Sequence, residues 1–197
     1  IMDGLVGSEM CIRDRSINEV KDKSTLLSNG NLYVAKFNDN FTGEWLLLDT
    51  QTTGFSSKAE VCIFTRLAAS KVGATTMDRP EWIASNPKKN EVCCCLTNNK
   101  NRGIKTNKGG DKVDVDKVNP RKNNKYGQIV RWSPQDNNHS SVYFEWDLFV
   151  VAGNPNVHDD NNKGSKNINE DNMFNSPDGL KFDKYGRLWI QTDGNYS

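Results

Sequence analysis

Two carboxylates stand at matching points of a pattern that occurs twice in this chain. Arg79-Pro80-Glu81-Trp82-Ile83-Ala84-Ser85-Asn86 and Ser176-Pro177-Asp178-Gly179-Leu180-Lys181-Phe182-Asp183 each place a proline, then an acid, then a short run with apolar positions. Acids brought together by a repeat around one axis would repel unless cations lay between them. Hard, oxygen-ligated metals such as calcium, or iron, suit such a cluster. A simple turn with Asp as local cap stays open for Pro177-Asp178-Gly179, whereas Glu81 is a poor turn residue. Asn98 and Asp193, with Asn99 and Asn195 beside them, end the second runs of the same units, Val92–Thr97 and Leu188–Thr192. Their oxygens could complete a metal shell or hold a ligated water. Strand-to-loop capping is the other reading of each. Arg66 and Arg79 are the candidates for gripping an anionic group with two parallel N–H bonds.

The elements that must position these groups are hairpins. Each unit turns, through Asn86-Pro87-Lys88-Lys89-Asn90 or Asp183-Lys184-Tyr185-Gly186, and the two copies align with one extra residue in the first turn. Asn31–Phe37 with Glu44–Leu48, and Tyr126–Trp132 with Val142–Val151, read as two further hairpins across polar turns. The best helical segment runs from Ser57 to Val72. Repeated hairpins with little helix predict an all-β fold, a partial β-propeller of two to three blades at about 40–50 residues each. Long polar loops are expected over Asn98–Asn123 and Asn154–Asn175, with at most a short helix. In a radial array the carboxylates Glu81 and Asp178 converge on one channel.

Composition narrows the partners. The 197 residues carry a net charge of +1, which gives no argument for nucleic acid as a partner. No apolar run approaches the roughly 18 residues that a membrane span needs. The mean hydropathy of −0.75 reflects the two polar stretches. Among five cysteines, Cys93 to Cys95 are consecutive and should alternate across a strand as small apolar residues. The paired spacing of a zinc site is absent. Asp111, Asp114 and Asp116 lie among lysines without the glycine and closing glutamate of an EF-hand, so a solvated loop is expected. His139 and His158 sit in polar turns and read as surface residues. Residues 1–15 lack periodicity and resemble a recurrent non-native leader of assembled environmental sequences. They are expected to pack against nothing, which leaves 16–197 as the domain, truncated at both ends.

At these residues the chain resembles the PhoX family of alkaline phosphatases. The resemblance runs through Leu32–Asn38 with Gly43-Glu44-Trp45, Thr65-Arg66-Leu67-Ala68-Ala69 and Gly73–Ala84, then Leu96-Thr97-Asn98-Asn99. It continues through Asn119-Pro120-Arg121, Tyr126–Trp132, Phe144-Glu145-Trp146-Asp147, Ser176–Leu180 and Leu188–Gly194. It implies a monomeric β-propeller phosphomonoesterase, exported by the twin-arginine route to the periplasm or cell surface. Calcium and iron would sit in its axial channel, and small-molecule phosphomonoesters would be its substrates. Carried over, Glu81 is the first metal ligand, with Asp178, Asp193 and Asn98 as further candidates and Arg79 and Arg66 as phosphate-binding groups. The resemblance also implies metal-assisted hydrolysis, and ligands in segments that this chain lacks, so the fragment is expected to be inactive alone. A lactonase-like propeller hydrolase and a non-enzymatic propeller binding module remain the alternatives.

Overall fold

The computed structural model describes residues 5–6, 9–13, 30–106 and 113–194. It is mostly β, with a long curled antiparallel sheet and a separate hairpin. The strands are β1 (Leu5–Val6), β2 (Glu9–Arg13), β3 (Leu32–Phe37), β4 (Thr42–Leu48), β5 (Pro80–Ser85) and β6 (Val92–Leu96). After them come β7 (Gln128–Pro134), β8 (Tyr143–Val151), β9 (Pro177–Phe182) and β10 (Leu188–Thr192). Eight of them join in the order β1-β2-β3-β4-β8-β7-β6-β5, while β9 and β10 pair with each other. The segment expected to lie outside the fold thus supplies two strands, and β2 pairs with β3 through Cys11↔Val34, Ile12↔Tyr33 and Arg13↔Leu32.

The Ser57–Val72 helix breaks in two. α1 (Thr50–Thr53) is a single turn closed by a capping box between Asp49 and Thr52. α2 (Lys58–Ile63) stops at Phe64, whose backbone leaves the helical region, and α3 (Thr65–Lys71) restarts at once. Val61, Ala68 and Ala69 from these helices pack on Val34 and Leu48.

Next to the edge strand β5 lies β6, where every residue from Val92 to Leu96 is buried. Its side chains alternate as a strand requires. Cys94 and Leu96 join Phe37, Met77, Val130, Trp132, Phe144 and Trp146 on one face, while Cys93 and Cys95 join Ile129, Val150 and Leu180 on the other. Burial pushes the Cys93 thiol up to about 12 and raises Cys94 and Cys95 as well. These cysteines are core residues, as expected, and they carry free thiols.

A narrow seam joins β3–β4 to the rest. β4 meets β8 through only three residue pairs, Thr42↔Glu145, Gly43↔Phe144 and Glu44↔Tyr143. Aromatic rings close over it: Phe144 stands edge-on to Phe37 at 5.1 Å and tilted on Trp45 at 5.2 Å. The Trp146 indole N–H donates back across the seam to the Thr42 carbonyl at 2.9 Å.

Candidate active site

The two repeated units fold as the hairpins that the spacing predicts, and they share a backbone conformation as well. Arg79 and Ser176, the residues ahead of the two prolines, both take left-handed backbone, with φ of 53° and 50°. Such a conformation costs a non-glycine residue about 1–3 kcal/mol unless its surroundings hold it. In both copies the same bond closes the unit: Thr97 N–H donates to Arg79 O at 3.0 Å, and Asp193 N–H donates to Ser176 O at 2.9 Å. The β9–β10 hairpin packs on β5 and β6, so the starts of β5 and β9 and the ends of β6 and β10 meet at one end of the molecule.

Most of the candidate residues gather there. Arg79 lies between two acids, with Nε 3.1 Å from Glu81 Oε1 and Nη2 3.8 Å from Asp193 Oδ2. Its side chain is 51% exposed, so solvent screens both pairs, and the two contacts leave most of its N–H donors open. Asn98 Nδ2 donates to Ser176 Oγ at 3.3 Å, which brings the end of β6 to the start of β9. Asp178 is half-buried, as Glu81 is, whereas Arg79 and Asp193 are exposed. Burial raises the Cys95 thiol first, and the charges of Cys94, Asp178, Cys93 and Glu81 add to the effect, so both carboxylates lie within electrostatic range of that thiol. Gly194 closes the site on the β10 side, since a Cβ there would strike Asn175 Oδ1 and Ser176 Oγ.

Arg66 does not join this group. It sits on α3, whose Ala68 and Ala69 pack on Val34 and Leu48. Among the described residues it makes no ion pair with Glu81, Asp178 or Asp193. Of the two arginine candidates, Arg79 is the one whose ion pairs tie it to Glu81 and Asp193.

The donor set falls short of a metal centre. Among the described residues, no group of three or more His, Cys, Asp or Glu side chains could hold a metal ion. Glu81 and Asp193 share the Arg79 guanidinium instead of standing free. These residues do not by themselves fit calcium or iron.

Sequence reasoning missed a second layer beneath the site. The stretch read as a long polar loop, Asn98–Asn123, contains the buried residues Arg102, Asn119 and Arg121, and Asn124 and Gln128 are buried just beyond it. Asp78, fully buried, accepts from Arg102 Nε at 2.7 Å and from Asn124 Nδ2 at 2.8 Å. Asp116 caps Asn119 and is half-buried, and desolvation drives its pKa upward, so it borders this interior. Asp111 lies outside the described residues. Arg121 donates to the carbonyls of Ala152 and Gly127. His158 is no plain surface residue either, since its Nε2 lies 2.8 Å from Tyr126 Oη. The available signal was local: Arg102 and the Asn119-Pro120-Arg121 turn stand out among the lysines of this stretch.

Fold and site together define a mostly-β protein whose paired hairpins gather one arginine and several oxygen donors at a single charged end. The family model described as alkaline phosphatase PhoX matches residues 11–197, and the chain belongs to that family. It is 46% identical to the solved Pseudomonas fluorescens PhoX in complex with vanadate, a transition state analogue, with a TM-score of 0.85. That likeness covers 100% of this chain and 36% of the solved one, so the chain spans about a third of that protein's length. No curated protein matches the chain.

Proposed function

We propose that this chain is part of a metal-dependent alkaline phosphatase that hydrolyses small-molecule phosphomonoesters, with Arg79 as the group that grips the phosphate. The observation that carries the reading is the Arg79–Glu81–Asp193 group, set at the meeting ends of two stacked hairpins. Membership of the PhoX family, and a solved relative captured with vanadate, support phosphate as the anion. A guanidinium presents a planar set of donors that matches phosphate oxygens, and it stays charged at any working pH. The calcium and iron implied by the resemblance would draw on Glu81, Asp178, Asp193 and Asn98 as a partial donor set. The remaining ligands would come from the rest of the longer protein.

The same reading extends to architecture and location. β5–β8 form a meander of four consecutive antiparallel strands, and β9–β10 stack on it, which suits one propeller blade beside the start of the next. Two to three blades would be present, in a monomer exported by the twin-arginine route to the periplasm or cell surface. No helix among the described residues is long and apolar enough to cross a membrane. With an incomplete donor set, the 197-residue piece would be inactive alone.

The test uses the full-length protein that contains this chain, assayed for phosphate release from p-nitrophenyl phosphate with and without added calcium and iron. Turnover that depends on the metals and is blocked by vanadate is expected, and none from the isolated piece. Glu81→Gln keeps the size of the side chain while removing its charge, and should lower metal content and turnover together. Normal metal content with normal turnover in that variant removes Glu81 from the site. A full-length protein that releases no phosphate overturns the reading.

A further inference from the structure

Under the strained turn that presents Arg79 lies a knot of buried polar groups with no part in binding substrate directly. Asp78 is 0% exposed and Arg102 1%. Their ion pair measures 2.7 Å, and the other two nitrogens of Arg102 donate to Asp114 O at 2.9 Å and Thr76 O at 2.7 Å. The Asp78 N–H is held by Asn119 Oδ1 at 3.0 Å. Asn124 ties the knot to three strand ends at once. Its Nδ2 donates to Asp78 Oδ2 ahead of β5 and to Gln128 Oε1, at 2.7 Å, on β7. Its Oδ1 accepts from Gly127 N at 3.0 Å, and its carbonyl accepts from Asn99 N, just beyond β6, at 2.7 Å.

Burying an ion pair gains little stability, because desolvation offsets the attraction, and apolar residues of the same volume often serve as well. What a fully bonded pair does supply is one fixed arrangement of the groups it ties. Here that arrangement is the Met77–Arg79 turn, in which Arg79 N–H donates to Met77 O at 3.0 Å and Arg79 is held at φ 53°. A residue with positive φ relaxes when its neighbours release it, and the guanidinium would swing with the backbone.

We propose that Asp78, Arg102 and Asn124 are positioning residues for phosphate binding: they fasten the turn before β5 so that the Arg79 guanidinium stays aimed between Glu81 and Asp193. The proposal rests on the reading of Arg79 as the phosphate-gripping group, and it makes the strength of that grip depend on side chains that never touch the substrate.

The test compares four forms of the full-length protein: wild type, Arg79→Gln, Asp78→Asn/Arg102→Met, and the two combined. The Asp78→Asn/Arg102→Met pair removes both charges, so neither is left buried alone. The readouts are the inhibition constant for inorganic phosphate, KM and kcat with p-nitrophenyl phosphate, and the melting temperature. Misplacing the guanidinium by an ångström should weaken phosphate binding and raise KM roughly ten- to hundredfold. Because the knot acts through Arg79, adding Asp78→Asn/Arg102→Met to Arg79→Gln should weaken phosphate no further. Should the charge-free pair fail to fold, Asn124→Ser takes its place in the same comparison. A folded variant with wild-type phosphate affinity overturns the proposal, and so does a full additive loss on top of Arg79→Gln. If Arg79→Gln itself leaves phosphate affinity unchanged, the reading of Arg79 fails and the positioning role falls with it.

Discussion

Placing a methyl group on Gly43 probes the seam on which the β4–β8 joint depends. Gly43 faces Phe144 directly across the seam, and a Cβ built on it would run into the Phe144 ring. The ring has nowhere easy to go: it is 2% exposed and wedged between Phe37 and Trp45. Overpacking of this kind costs about 1–3 kcal/mol. Gly43 is not among the residues with positive φ, so alanine also stiffens the unfolded chain and returns about 0.4–1 kcal/mol. Gly43→Ala should therefore destabilise by about 1–2 kcal/mol. Phe144→Ala empties a buried site and should cost about 3–5 kcal/mol. In the double variant the ring that the methyl strikes is gone. Its cost should match that of Phe144→Ala alone or fall slightly below it, which leaves a coupling of about 1–3 kcal/mol between the two sites. Urea unfolding followed by tryptophan fluorescence reports on this region, since Trp45, Trp132 and Trp146 all lie in the same core. Strictly additive losses would show that ring and glycine do not share the space, and would refute the account of the seam.

Two shorter predictions concern chemistry and pH. In a Cys11→Ser background, a thiol reagent at pH 8 should label Cys62, which is exposed, while Cys93, Cys94 and Cys95 react only on unfolding, because burial holds their thiols protonated; fast labelling of a second cysteine contradicts the buried β6. Asp183 is partly desolvated, yet the N–H of Arg187, its guanidinium, the Trp189 indole and the Tyr185 N–H hold the carboxyl well below its usual range. A depressed folded-state pKa contributes stability above the unfolded value of 3.8 that is lost as pH falls below it. Asp183→Asn should thus lower the melting temperature at pH 7 and make a smaller difference at pH 2.5; a constant difference would argue against the shift.

The repeat was legible in the sequence because it rests on residue types with local meaning. Proline cannot donate to a ladder and so tends to stand at a strand's first residue, and the acid, the apolar run and the polar turn follow in both copies. Alternation through Cys93, Cys94 and Cys95 was legible for the same reason. The positive φ at Arg79 and Ser176 was not, since neither residue type favours it and the cause lies in groups far along the chain. The Asp78–Arg102–Asn124 knot was invisible to hydropathy, which cannot tell a polar residue facing water from one facing a partner across the interior. Splitting of the Ser57–Val72 helix at Phe64 also escaped, because apolar periodicity survives a one-residue break. The meeting of the hairpin ends, which brings Arg79 to Glu81 and Asp193 and Asn98 to Ser176, follows the alignment of the hairpins, whereas the placement of Arg66 on a separate α3 is set by the break at Phe64.

The seam between β4 and β8 has a bearing on how the protein is made. Its closing bond, from the Trp146 indole to the Thr42 carbonyl, spans 104 positions of the chain. At a synthesis rate of about 5–20 residues per second, the β3–β4 hairpin leaves the ribosome roughly 5–20 seconds before its partner strand exists. For that interval β4 has an unpaired edge, and Phe37 and Trp45 lack the rings that later cover them. The nascent hairpin is therefore a candidate client for a chaperone that recognises extended aromatic segments, and slowing translation between residues 50 and 143 would lengthen its exposure.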